Sequence, residues 1–243
     1  MNKRQYGLIG YKLGHSFSRA YFTQKFEKEK IPATYENYEL EQIDDVRDLL
    51  ETDIKGFNVT IPYKKQILPF LDRVDGVAAE IGAVNTIKRQ DDNWIGYNTD
   101  VYGFRQMIKP FSKSHHERAM ILGTGGAAEA VNYVLGHLGV NVISISRSPK
   151  GSNQFHYNEV NKNMIRFNGI IVNTTPVGTF PNVDECPDIP YHFINDQHLV
   201  IDLIYNPEET LFLKKSKDAG AVTLNGKTML QQQAEEAWRI WND

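Results

Sequence analysis

Arg118-Ala119-Met120-Ile121-Leu122-Gly123-Thr124-Gly125-Gly126-Ala127-Ala128 is the stretch on which the fold turns. An apolar run of strand length, Arg118 to Leu122, meets a glycine-rich turn, and small and apolar residues at helical spacing continue to about Leu138. The spacing is G-x-G-x-x-A, in which the alanine allows close helix–strand packing. Glycines let the backbone approach a pyrophosphate, and the helix N-terminus supplies N–H donors and positive potential. Gly123, Gly125, Gly126 and Ala127 are therefore candidate cofactor contacts. Tight strand-to-helix turns also need glycine for conformational reasons alone, so the flanking strand and helix carry the reading.

The next apolar run, Asn141 to Ser146, bears on the choice of cofactor. NAD sites place an acid near the end of this strand to hold the ribose 2′-hydroxyl. Here the strand runs into Ser146-Arg147-Ser148-Pro149-Lys150, with no acid until Glu159. A guanidinium beside small hydroxyls suits a 2′-phosphate, which points to NADP. Further on, Gly169 to Asn173 reads as another strand, closed by the polar turn Asn173-Thr174-Thr175-Pro176-Val177-Gly178. Strand C-termini face the ligand crevice in doubly wound sheets, so this turn is expected to flank the cofactor. His198 to Leu203 reads as a further strand.

Upstream, Gln5 to Gly10, Ala33 to Leu40, Lys55 to Ile61, Ala83 to Lys88 and Trp94 to Asn98 read as strands. A helix is expected from a cap at Ser18 to about Lys30, where Phe22 and Phe26 recur at helical spacing. Alternation of short apolar runs with helical patterns implies an α/β fold with largely parallel sheets. The nucleotide pattern begins near Asp100, which sets a boundary between residues 1–100 and a Rossmann-type domain at 101–226. A last amphipathic helix, about Thr228 to Trp241, fits either half by pattern alone.

Bulk properties exclude several classes. The chain has 243 residues, 41% hydrophobic and 23% charged, with a net charge of −3, so no basic field exists to hold nucleic acid or an anionic membrane. Cys186 is the single cysteine, which rules out an internal disulfide and fits a reducing, cytoplasmic setting. Met1 to Gly10 lacks the apolar stretch of a secretory signal, and no run approaches the roughly 20 apolar residues of a membrane span. The seven histidines are scattered, and His115-His116 has no suitable third ligand nearby, so no metal is expected.

Polar clusters at element ends supply the candidate chemistry. Gly14-His15-Ser16-Phe17-Ser18 offers two hydroxyls that, in an extended segment, project to one side and clasp a carboxylate. Asn58-Val59-Thr60-Ile61-Pro62-Tyr63-Lys64 places an amide, a hydroxyl and a lysine after a strand. Asn85 and Asn98-Thr99-Asp100 complete the set, with Asp100 by default a helix N-cap.

Taken together, these pieces resemble the shikimate dehydrogenase family, shikimate/quinate dehydrogenases included, from Tyr6 almost to the C-terminus. The shared blocks are Gly14-His15-Ser16-x-Ser18, Asn58-Val59-Thr60-Ile61-Pro62-x-Lys64, Gly82-Ala83-Val84-Asn85-Thr86 and Asn98-Thr99-Asp100-x-x-Gly103. Gly123-x-Gly125-Gly126-Ala127, Asn173-x-Thr175, Asp202-x-x-Tyr205-x-Pro207 and Gly226-x-x-Met229-Leu230-x-x-Gln233 follow in family order. The resemblance implies reversible hydride transfer between NADP(H) and 3-dehydroshikimate or shikimate, on the route to chorismate and the aromatic amino acids. It implies Lys64 and Asp100 as the catalytic pair, with Ser16 and Ser18 binding the substrate carboxylate. Asn58, Thr60, Asn85, Tyr205 and Gln233 are implied to hold or enclose the rest of the substrate. Ser146, Arg147, Ser148, Asn173, Thr175, Leu203 and Gly226 join the glycine turn as implied cofactor contacts. The final helix is implied to return to the N-terminal domain, which makes the substrate domain 1–100 plus 227–243. A small-molecule substrate and a monomer or homodimer are expected.

Two departures are visible. Arg19 stands where the family usually has proline, at what reads as the first helical position, and Ser146-Arg147-Ser148 stands for the usual Asn-Arg-Thr. Alternatives within this reading are a quinate/shikimate dehydrogenase with relaxed cofactor use, a non-catalytic NADP-binding sensor on the same fold, and a folate-linked dehydrogenase of similar plan.

Overall fold

The computed structural model describes residues 3–14 and 16–243. His15 of the serine motif lies outside the described residues. The chain divides into two compact units, one running up to Tyr102 and including Gln232–Asp243, the other Gly103–Gln231.

In the first unit, β1 (Arg4–Gly10), α1 (Phe17–Lys28), β2 (Ala33–Glu39), α2 (Val46–Leu50) and β3 (Gly56–Val59) follow one another. Then come β4 (Arg73–Val74), α3 (Gly76–Ile81), β5 (Thr86–Gln90) and β6 (Asn93–Tyr97), and α4 (Asp100–Ile108) begins in this unit and runs on into the second. The sheet order is β2-β1-β3-β5-β6-β4. It is mixed, because β5 pairs antiparallel with both β3 and β6. The hairpin that reverses direction has a two-residue loop, Asp91-Asp92, with Asp91 at φ 55° as such tight turns require. On one side of the sheet Phe22 and Phe26 of α1 pack with Tyr6, Tyr35 and Trp241. Trp241 stacks on Tyr6 at 4.7 Å and donates its indole N–H to the carbonyl of Ile87 at 3.0 Å.

The second unit carries β7 (Arg118–Leu122), α5 (Gly126–His137), β8 (Asn141–Ser146), β9 (Gln154–His156), α6 (Lys162–Phe167) and β10 (Ile170–Asn173). β11 (Leu199–Asp202), α7 (Leu211–Asp218) and β12 (Val222–Leu224) follow, and α8 (Lys227–Asn242) closes the chain. Every pairing is parallel, in the order β12-β11-β10-β7-β8-β9. That is the doubly wound order, with direction reversing between β7 and β10. Both central strands are buried along their apolar runs, 119–122 and 170–172, as strands covered on both faces are. Four apolar residues of α8, Ala234, Ala237, Trp238 and Trp241, fall on one face and pack in the first unit's core.

The helix start at the serine motif corrects the sequence reading. Ser16, not Ser18, is the N-cap of α1, and its hydroxyl oxygen accepts from the Arg19 N–H at 3.2 Å. Ser16 is extended while Ser18 is already helical, so the two hydroxyls do not share one extended segment. Arg19 is the third helical residue rather than the first, and the capping bond uses an N–H that proline lacks. Asp100 likewise opens α4 without spending its carboxylate on a cap: that group is engaged by side chains instead.

Candidate active site

Strand and helix ends of the first unit bring four of the expected residues into direct contact. Lys64 lies in the turn after β3, anchored where its carbonyl accepts from the Val84 N–H at 2.7 Å. Its Nζ reaches Asp100 Oδ2 at 2.6 Å, with side-chain exposures of 16% and 3%. The other carboxylate oxygen, Oδ1, accepts from Asn85 Nδ2 at 2.9 Å. The same amide nitrogen lies 3.0 Å from Gln233 Oε1 and 3.1 Å from Thr99 Oγ1. Its orientation is dictated by the Thr99 backbone N–H, which can only donate and meets Asn85 Oδ1 at 2.7 Å. The amide oxygen faces the backbone and its hydrogens face the acceptors.

From Asn85 the hydrogen bonding runs back through the sheet. Thr86 Oγ1 lies 3.2 Å from Asn85 Oδ1 and accepts from Asn58 Nδ2 at 3.0 Å. Asn58 Oδ1 accepts from the Tyr35 hydroxyl at 2.8 Å. Ser18 hydrogen-bonds the same hydroxyl, easing a phenol whose pKa burial pushes well above the ordinary range. Both polar atoms of the Asn58 side chain are thus held by protein groups. Ser16 caps its helix, and Thr60 sits half-buried just past β3, its N–H on the Ile9 carbonyl at 2.9 Å. The sequence alone assigns no individual role to Tyr35, Thr86 or Thr99. A buried tyrosine hydroxyl on a strand demands a partner, and that was the available signal.

The second unit gathers its candidates around the reversal point of the sheet. Gly123 follows β7 at φ 111°, and a Cβ there would stand 2.6 Å from Thr174 Oγ1. Only glycine fits. Gly125 is the N-cap of α5 and offers no side-chain cap to the first N–H groups of the helix. Nothing stands within 4 Å of where a Cβ on Gly125 would be. A backbone cradle that is open, rich in donors and capped by no side chain fits a pyrophosphate. Ser146 ends β8, its hydroxyl accepting from the Ser148 N–H at 3.1 Å, with exposed Arg147 between them.

At the end of β10, Asn173 Oδ1 accepts from the Thr175 N–H at 3.0 Å and from its hydroxyl at 2.7 Å. Asn173 Nδ2 donates to Asp202 Oδ1 at 3.1 Å, which also accepts from the Ile204 N–H at 3.1 Å. Thr210 donates to Asp202 Oδ2 at 2.6 Å. This fully buried carboxyl ties together the ends of β10, β11 and the segment bearing Leu203 and Tyr205. Burial raises its pKa to about 6 against the lowering effect of those donors. Gly226 presses on this segment so closely that a Cβ would collide with the Leu203 carbonyl.

Among the described residues no group of three or more His, Cys, Asp or Glu could hold a metal ion. No helix among them is long and apolar enough to cross a membrane.

Comparison with known proteins points to one family. The family model for the shikimate dehydrogenase substrate binding domain matches residues 8–87. The shikimate dehydrogenase (NADP(+)) of Clostridium beijerinckii is 40% identical, over 98% of this chain and 92% of the relative. The crystal structure of shikimate dehydrogenase from Aquifex aeolicus superimposes with a TM-score of 0.89 at 33% identity, covering 99% of this chain and 92% of that one. The Thermus thermophilus shikimate 5-dehydrogenase, solved with NADP(H) and shikimate, gives a TM-score of 0.87 at 28% identity, over 98% and 93% of the two chains.

Proposed function

The chain belongs to the shikimate dehydrogenase family, and we infer that it is an NADP-dependent oxidoreductase that interconverts 3-dehydroshikimate and shikimate. The observation that carries the mechanism is the Lys64–Asp100 contact of 2.6 Å, held from behind by Asn85. Reduction of a ketone builds negative charge on its oxygen, which needs a cation and a proton at once. Lys64 supplies both: its ammonium stabilises the forming alkoxide and then protonates it. In the oxidative direction the neutral amine takes the proton from the alcohol. Asp100 keeps the lysine directed and offers its carboxylate to a substrate hydroxyl.

NADPH, when bound, supplies the hydride. The glycine turn at Gly123–Ala127 is suited to hold its pyrophosphate, and Arg147, with Ser146 and Ser148, to hold its 2′-phosphate. Asn173, Thr175, Leu203 and Gly226 line the strand ends beside that cradle. Ser16 and Ser18 are assigned to the substrate carboxylate, and Thr60, Asn85, Tyr205 and Gln233 to its hydroxyls and ring. Asn58, with both amide atoms on protein partners, serves the substrate site as a wall that holds Tyr35 and Thr86 in place. The single cysteine supports a reducing, cytoplasmic setting.

The test is absorbance at the reduced-nicotinamide band with purified protein, shikimate and NADP+, set beside NAD+ and quinate. Rapid NADPH formation from shikimate alone is the expected result. Absence of turnover in a protein that still binds NADPH would overturn the enzymatic reading.

A further inference from the structure

Recognition of the 2′-phosphate rests so far on Arg147 and its flanking serines, and the strand register adds a second side chain. β8 and β9 pair in parallel with Ser146 opposite His156. Adjacent strands lie about 4.8 Å apart, so the imidazole stands beside the residue that introduces Arg147. Only residues 147–153 join the two strands, with no crossover helix between them. Arg147 is close enough to Tyr157, the next residue, for its positive charge to lower the phenol's pKa against burial.

The two ring nitrogens of His156 are not equivalent. Nδ1 accepts from the Asn158 N–H at 3.4 Å, capping the 3₁₀ turn Tyr157–Glu159. A neutral imidazole nitrogen that accepts carries no hydrogen, so the hydrogen sits on Nε2. Among the described residues Nε2 has no hydrogen-bond partner. The carboxylate of this turn, Glu159, is occupied by the His156 backbone N–H at 2.6 Å.

We propose that His156 donates from Nε2 to the 2′-phosphate of NADP and, with Arg147, discriminates NADP from NAD. This rests on the NADP-dependent reading above and names a residue that reading did not contain. A hydrogen bond to a charged phosphate oxygen is stronger than one to a neutral hydroxyl, so the contact strengthens NADP binding selectively.

The experiment is a fluorescence or calorimetric titration of NADP+ and NAD+ into the parent protein, His156→Asn and Arg147→Ala. Asparagine is among the best N-cap residues, so the 3₁₀ turn retains its acceptor while losing the reach of Nε2. The expected result for His156→Asn is a Kd for NADP+ about tenfold higher, the size of one charge-assisted contact, with NAD+ unchanged. Equal weakening of both cofactors, or none, overturns the inference. A preference for NADP+ lost in Arg147→Ala but intact in His156→Asn overturns it while the NADP reading stands. A parent protein that binds both cofactors alike overturns both. Unchanged thermal unfolding of His156→Asn secures each of these outcomes against misfolding.

Discussion

Each unit buries one aspartate at the end of an element, and the two are treated in opposite ways. Asp100 has a cation: Lys64 lies 2.6 Å from one oxygen, and Asn85 donates to the other at 2.9 Å. Asp202 has only neutral donors, from Asn173, Ile204 and Thr210, and burial drives its pKa up to about 6. The first arrangement holds an ammonium against a carboxylate, the pair to which the proposed function gives the chemistry. The second fastens three chain segments together. The same contrast runs through the two units at large. In the first, Lys64, Asp100, Asn85 and Gln233 are bonded to one another, whereas the second presents open backbone at Gly125, next to the crowded turn at Gly123. Preorganised side chains suit catalysis, where reorganisation during the reaction is costly. An open cradle suits a cofactor that must come and go.

Removing Lys64 is the most severe test of this contrast. In Lys64→Ala, turnover of shikimate is expected to fall by about 10³-fold, the range of general acid–base catalysis, with NADPH binding intact. Near-normal turnover in a folded variant would break the assignment of chemistry to the first unit.

Asp202 gives the next largest effect, on stability. Its carboxyl rises from the ordinary 3.8 to about 6 in the folded protein, so folding favours the neutral acid. That contribution is fully present below pH 3.8 and is lost as pH rises through 6, by up to about 3 kcal/mol. Asp202→Asn keeps an acceptor for Asn173 and Ile204 while Thr210 turns to accept. Chemical denaturation from pH 4 to 7 should show the variant gaining on the parent protein across that window. Parallel profiles would mean that Asp202 is ionised in the fold at no cost.

Gly123→Ala sharpens the cradle half of the comparison. A Cβ at φ 111°, 2.6 Å from Thr174 Oγ1, forces the turn out of shape. NADP+ and NAD+ should both weaken by roughly tenfold, about 1.4 kcal/mol, since the pyrophosphate contact is common to both. Selective loss of NADP+ would place the 2′-phosphate, not the pyrophosphate, at this turn. The smallest effect belongs to Tyr35→Phe, which leaves Asn58 Oδ1 without its donor. A loss of about 1 kcal/mol in unfolding free energy is expected, together with a raised KM for shikimate at nearly constant kcat. A fall in kcat with unchanged KM would instead tie Tyr35 to Lys64.

Much of the second unit is legible in its residues because the cues are local. Arg118–Leu122 and Asn141–Ser146 are apolar runs bounded by turn residues, and Gly123 after the first has a steric reason to be there. Short elements were not legible: β9, β12 and α6 have three, three and six residues, too few for a period to show. α7 opens with an apolar triplet and continues with lysines, and it is recognisable only once Thr210 is seen to cap it. The Ser16–Ser18 segment misled because capping is decided by backbone dihedrals. Two serines two residues apart, Ser16 and Ser18, cannot be ranked as caps without them.

By itself, the sequence determined the class of fold, the nucleotide turn with its missing acid, and the polar residue types available at each strand end. Those follow from periodicity, steric demand and side-chain chemistry, all properties of residues near one another in the chain. Only the tertiary structure decided that Gln233 meets Asn85, 148 positions apart, and that Asn58 faces Tyr35 rather than standing free. Only the parallel pairing of β8 with β9 set His156 beside Ser146. Hydrogen bonds between distant segments depend on register and on the direction of each donor, and neither is encoded in a local pattern.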